Sequence, residues 1–124
     1  MAALVEETSI EANEILLMEG EMARYLYIVV EGQAAAQVQI ERGWLSLGLV
    51  GPGAAAGWSS LLGGSVVYPA TVKALTNMKV ARLETSGLML LMNVDPKIGY
   101  PVLKCLSSIV YMQYEAALTA VKTA

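Results

Sequence analysis

Residues 51–72 read GPGAAAGWSSLLGGSVVYPATV, and no charged residue lies between Arg42 and Lys73. Glycines recur at Gly48, Gly51, Gly53, Gly57, Gly63 and Gly64, with Ser59-Ser60-Leu61-Leu62 among them. Glycine supplies backbone conformations that other residues avoid and lets a ligand approach the main chain. A turn that feeds a helix start leaves amide N–H groups free to hold an anion. The same composition also suits a buried, glycine-punctuated turn region of a small β-domain, and the flanking sequence bears on the choice.

Upstream, short strands are expected. Residues 1–13 are mixed and read as irregular or marginally helical, so a β-region is expected over about 13–84. Residues 14–18, EILLM, form a short strand candidate closed by Glu19-Gly20-Glu21. Residues 25–30, YLYIVV, are the richest run of β-formers. After Glu31-Gly32, Ala34, Ala36, Val38 and Ile40 alternate with Gln33, Gln37 and Gln39, which predicts a strand with one wet face. Residues 44–50, 71–74 and 78–83 complete the set. Short strands at regular spacing, joined by Gly turns, predict a sandwich or barrel.

Downstream the period changes. Thr85 or Ser86 is positioned to cap a short helix over about 86–92. Asp95-Pro96 is a helix start, with Asp as N-cap and Pro at the first helical position, and the helix is expected over about 96–122. Ile98, Val102, Cys105, Ile109, Met112 and Ala116 step by alternate fours and threes along it, the repeat of a coiled-coil seam. Leu103, Leu106 and Val110 form a second apolar set on a neighbouring face. One face can pack on the β-domain and the other on a partner, which predicts a homodimer. Pro101 sits near the first turn of this helix, where it is expected to bend it.

Composition narrows the function classes. The 124 residues fit one domain over 1–124, with 56% hydrophobic and 15% charged residues. The net charge is −3 and no Lys/Arg cluster exists, which argues against direct nucleic-acid binding. The chain has no His, so a Ser/His/Asp or Cys/His constellation and a multi-His metal site are excluded. A single cysteine, Cys105, excludes an internal disulfide and fits a reducing, cytoplasmic compartment. No secretory signal is visible, and the prolines and glycines of the longest uncharged run argue against a membrane span. Enzyme activity, a metal and a resident cofactor are not expected.

The order of these pieces resembles the cyclic-nucleotide-binding domain of catabolite-activator-type regulators and cyclic-nucleotide-gated channels. Glu19-Gly20-Glu21, then Leu26-Tyr27-Ile28-Val29 and Glu31-Gly32, resemble the family's "EGE…LYIV…G" run. Residues 49–53, LVGPG, resemble its "LGPGD" turn, and residues 57–62 its phosphate-binding cassette. Tyr68-Pro69-Ala70-Thr71-Val72 resembles the cassette's closing "R-S-A-T-V" strand. Residues 81–96 resemble the hinge strand, short helix and "NP" start of the dimer helix. The resemblance implies a mainly β fold, a double-stranded β-helix (jelly-roll or cupin-like β-roll), followed by a short helix and a long dimerisation helix. It implies ligand contacts at Gly57, Trp58, Ser59, Ser60, Leu61, Tyr68, Pro69, Ala70 and Thr71.

The departures concern the ligand. Where the family has the Glu that binds the ribose 2′-hydroxyl, this chain has Trp58. Where it has the Arg that pairs with the cyclic phosphate, this chain has Tyr68. Losing the Arg removes a charge-assisted contact of roughly 1.5–3 kcal/mol, and losing the Glu about 1 kcal/mol more. Cyclic nucleotide binding is therefore expected to be weak. Amides around Ser59, Ser60 and Leu61, the Ser hydroxyls and Thr71 remain as donors to an anion. Two readings stay open: a sensory domain that binds another small, anionic effector and couples it to its C-terminal helix, or a ligand-free dimerisation and interaction module with a filled pocket. The chain stops at Ala124, about where the family's dimer helix ends, so no DNA-binding domain is expected within it.

Overall fold

The computed structural model describes residues 5–58, 60 and 67–123. Eight strands precede two helices: β1 (Val5–Ile10), β2 (Ile15–Leu17), β3 (Tyr25–Glu31), β4 (Ala34–Ile40), β5 (Gly43–Val50), β6 (Ala55–Ala56), β7 (Thr71–Ala74), β8 (Met78–Glu84), α1 (Thr85–Val94) and α2 (Pro96–Thr123). They pair as two four-stranded antiparallel sheets, ordered β1-β8-β3-β6 and β2-β7-β4-β5. The fold is mainly β with C-terminal helices.

Strand β3 shows how the sequence builds the core. Tyr27 and Val29 lie on one face and are buried with Leu17, Val72 and Val80. Val29 and Val80 face each other in register and are the largest fully buried side chains. Leu26, on the opposite face, pairs with Leu83 and joins Ala55 and Leu88 in a second cluster under the helices. The central strand thus buries both faces at its start, which is why its apolar run is nearly continuous. Ala56 belongs to the β core and Ala55 to the helix-side cluster, so β6 packs on both faces and small side chains fit.

Two strand expectations change. Residues 5–10 form an edge strand that pairs with β8 from Val5↔Leu83 to Ile10↔Met78, so the β-region begins before residue 13. Glu6 and Glu7 weaken its local β signal; long-range pairing and the Glu6–Arg82 ion pair at 2.8 Å hold it. The alternation expected in β4 also fails: Ala34 and Ala35 are both buried, while Ile40 is exposed. The β4–β5 register shifts at Ala36/Gln37, leaving Leu47 of β5 without an opposite residue, and such a bulge breaks the period of two.

The helices start close to where the sequence places them. The Lys97 N–H donates to Asp95 Oδ1 at 3.0 Å, the contact expected of an Asp cap. Neither Thr85 nor Ser86 caps α1. The N-cap is Glu84, and Thr85 is buried, with its hydroxyl donating to the Arg24 carbonyl at 2.8 Å. Pro101 lies inside α2, which runs through it unbroken. Gly99 is buried where a Cβ would stand 3.1 Å from the Met92 carbonyl oxygen, so α1 and α2 meet closely there. Gly48, at φ +144°, does the same for β5 and α2: a Cβ would stand 3.0 Å from that of Ala116.

Candidate functional site

After β6 the chain turns sharply at Gly57, at φ +80°. A Cβ at this position would stand 2.5 Å from the Tyr25 carbonyl oxygen and 3.2 Å from the Tyr68 ring, so only glycine fits. The next turn is closed by Ser60, whose N–H and hydroxyl both donate to the Gly57 carbonyl, at 3.0 and 2.6 Å. Ser59 and Leu61 lie outside the described residues.

Tyr68 closes the segment from the other side. The Tyr25 N–H donates to its phenolic oxygen at 3.0 Å, and the phenol donates in turn to the Tyr25 carbonyl at 2.9 Å. Its main chain is paired as well: Gly20 N–H donates to Tyr68 O, and Tyr68 N–H to Glu21 O, both at 2.9 Å. The residue is buried and its hydroxyl is spent on the fold. Tyr25 is itself covered by the Arg82 guanidinium, 4.6 Å above its ring centre. Thr71 is buried too, and its hydroxyl oxygen accepts the Glu19 N–H at 3.0 Å. Ser60 thus spends its hydroxyl proton on its own backbone, while Thr71 accepts a backbone N–H and is not among the described residues lining the cavity below.

Trp58 points toward α2. Its indole Nε1–H donates to Gln113 Oε1 at 2.7 Å, and Gln113 Nε2 donates to the Ala55 carbonyl at 2.6 Å. One glutamine side chain therefore ties the cassette turn and strand β6 to the long helix.

Between these parts lies a cavity of about 670 Å³. Its walls come from β5 (Leu47–Val50), the turn at Pro52–Ala54, Gly57 and Trp58, Tyr68 to Ala70, and the inner face of α2. Among the described residues none of the lining side chains is Lys, Arg, Asp or Glu, and most are apolar.

The structure brings Gly57, Trp58, Tyr68, Pro69 and Ala70 to this cavity, and leaves Ser60 and Thr71 off its wall among the described residues. It divides the heptad seam. Ile109 packs against the Leu26, Ala55, Leu83 and Leu88 cluster, and Ala116 sits on Gly48. Both line the cavity and face the chain's own sheet, because α2 lies directly on β5. Ile98 is half-buried, Met112 and Cys105 are exposed, and the side chain of Val102 lies outside the described residues. The sequence reading missed Gln113 and Tyr25. Gln113 carried a signal: it is a polar residue one helical turn after Ile109, on an otherwise apolar face.

The family model of the cyclic nucleotide-binding domain matches residues 7–95. The chain belongs to the cyclic nucleotide-binding domain family. Its fold is similar to that of a cyclic nucleotide-binding domain from Methylobacillus flagellatus KT, at TM-score 0.86 and 23% identity, covering 98% of this chain and 69% of that one. It is also similar to the c-di-GMP responsive global regulator CLP of Xanthomonas campestris, at TM-score 0.84 and 18% identity, covering 94% of this chain and 57% of that one. A third similar structure is the N-terminal domain of a transcriptional regulator from Streptomyces coelicolor A3(2), at TM-score 0.72 and 27% identity, covering 92% and 80%. No curated protein matches the chain significantly in sequence. The chain has, among the described residues, no cluster of His, Cys, Asp and Glu suited to a metal ion. No described helix is long and apolar enough to cross a membrane.

Proposed function

We propose that this domain is a sensory module of a cytoplasmic regulator, built as the jelly-roll β-roll of its family. It binds a small effector between the cassette turn and α2 and passes occupancy to α2. The observation that carries this reading is the Trp58–Gln113–Ala55 relay across the open cavity. An effector seated there touches Trp58 and α2 together, and any shift of the indole changes the support of the helix. Trp58 and Tyr68 stand in place of the family's Glu and Arg, so cyclic AMP and cyclic GMP are poor ligands. The Tyr68 and Ser60 hydroxyls donate inward to the backbone, which supports the same conclusion and weakens the case for an anionic effector.

The partner reading is a homodimer through α2, but along a different stripe from the heptad seam. Tyr100, Leu103, Tyr111, Leu118 and Val121 are all exposed, recur at helical spacing and are not among the residues that line the cavity. A symmetric pair of α2 helices along this stripe joins two cavities through one helix contact.

Calorimetry with cyclic AMP and cyclic GMP tests the anchor reading: weak or absent heat is expected, and submicromolar affinity for either nucleotide overturns it. Native mass spectrometry of the gently purified protein tests the sensory reading through a bound small molecule. The second reading, a ligand-free dimerisation module, draws on Tyr68, whose hydroxyl is already committed to the Tyr25 backbone. Chains that carry no small molecule and bind none favour it.

A further inference from the structure

The chemistry of the cavity wall narrows the effector further. No charged residue lies between Arg42 and Lys73, and none is among the described side chains of α2 that face the cavity. Of the four polar side chains among the described lining residues, Trp58, Tyr68 and Gln113 are paired already and Tyr114 is the fourth. The Trp58 indole N–H and the Gln113 amide bind each other and Ala55, and the Tyr68 phenol binds the Tyr25 backbone on both sides. An anion placed here would give up its water without gaining a cation. Leu47, Val50, Ala54, Ile109, Val110 and Ala117 offer apolar surface instead. The volume is that of a site that encloses a whole small molecule.

We infer that the effector is an uncharged, largely hydrocarbon molecule with at most one or two hydrogen-bonding groups, held by apolar contact between Trp58 and the inner face of α2. This inference rests on the sensory reading of the same cavity. Gln113 can greet a polar end by exchanging its bond to the Trp58 indole for one to the ligand, and the Tyr114 phenol lines the same cavity.

Nile red, an uncharged apolar dye, serves as the probe on the full chain. Saturable binding at one dye per chain, with blue-shifted emission, is expected. Cyclic AMP in large excess should leave the dye in place. Met112→Glu puts a carboxylate at the cavity rim on a mostly exposed position, and should weaken dye binding by about tenfold or more. Ala36→Phe, which fills the cavity from β4, should do the same, with circular dichroism confirming that each variant folds. Leu103→Glu, on the outer face of α2, should leave dye binding unchanged.

Micromolar binding of cyclic AMP that expels the dye overturns the uncharged class while the sensory reading stands. Failure of both dye and nucleotide to bind removes the inference together with the sensory reading. Dye binding abolished by Leu103→Glu but indifferent to Met112→Glu and Ala36→Phe places the dye on the helix surface and overturns the inference alone.

Discussion

Trp58 and Gln113 lie 55 positions apart, yet the indole N–H of one meets the amide oxygen of the other at 2.7 Å. The glutamine's own N–H group reaches the Ala55 carbonyl, so a single side chain bridges the cassette turn, strand β6 and helix α2. Neither residue is fully buried.

Gln113→Leu keeps the bulk on the inner face of α2 but leaves the Trp58 N–H and the Ala55 carbonyl without that partner. The expected loss is about 1–3 kcal/mol in urea unfolding, with a change in tryptophan emission. Gln113→Glu, which keeps an acceptor for the indole, should retain more of the emission signature than the leucine variant. Equal stability of wild type and leucine variant would show that the bridge carries no energy.

Tyr68→Phe removes one hydroxyl that satisfies both the N–H and the carbonyl of Tyr25. A loss on the order of 2 kcal/mol is expected, read as a lower denaturation midpoint at unchanged slope. Tyr68→Arg should not restore cyclic nucleotide binding. It places a cation in a buried niche built around a phenol, and the chain should unfold more readily rather than bind cyclic AMP. Tight cyclic AMP binding by the arginine variant would refute this account of the niche.

The two faces of α2 should respond differently to charge. Ile109→Asp strikes the cluster of Leu26, Leu83 and Leu88, and should lower stability by several kcal/mol. Tyr111→Glu and Leu118→Glu alter only the exposed stripe and should shift a dimer to monomer in analytical ultracentrifugation while the melting temperature of the monomer changes little. A wild-type chain that sediments as a monomer at tens of micromolar would remove the stripe from the dimer reading.

Alkaline pH should weaken the fold through Tyr27. Its phenol is raised in pKa, first by burial and next by the neighbouring Tyr68, with Arg82 pulling the other way. In the unfolded chain the phenol ionises near its ordinary value of about 10. Below that pH it is neutral in both states and its contribution to stability is complete. As pH rises past it the unfolded chain ionises first, so stability falls up through the folded pKa. Thermal melts should show this decline above about pH 10, and Tyr27→Phe should flatten it. An unchanged slope in the phenylalanine variant would assign the decline to other groups.

Much of the fold was legible locally. The run Tyr25–Val30, the Glu31-Gly32 turn and Asp95-Pro96 each carry their own signal, because β-propensity, left-handed glycine turns and helix caps are properties of a few neighbouring residues. The collinear order of these signals was enough for the family. It was also enough to mark Gly57, Trp58, Tyr68, Pro69 and Ala70, which do meet at one cavity.

What the sequence by itself determined, then, was the mainly β architecture with two closing helices and the absence of charge from residues 43–72. Only the tertiary structure decided that Val5–Ile10 is a strand, that the Tyr68 hydroxyl turns inward to Tyr25, and that Ile109 packs on the Leu26, Leu83 and Leu88 cluster and Ala116 beside Gly48. The physical reason is common to all three. A heptad fixes which residues share a helix face, but the element packed beside the helix fixes what that face meets. A side chain's hydrogen-bond partner dozens of residues away leaves no mark in its own neighbourhood. Packing across the fold, from Gly48 against Ala116 to Trp58 against Gln113, settles such choices.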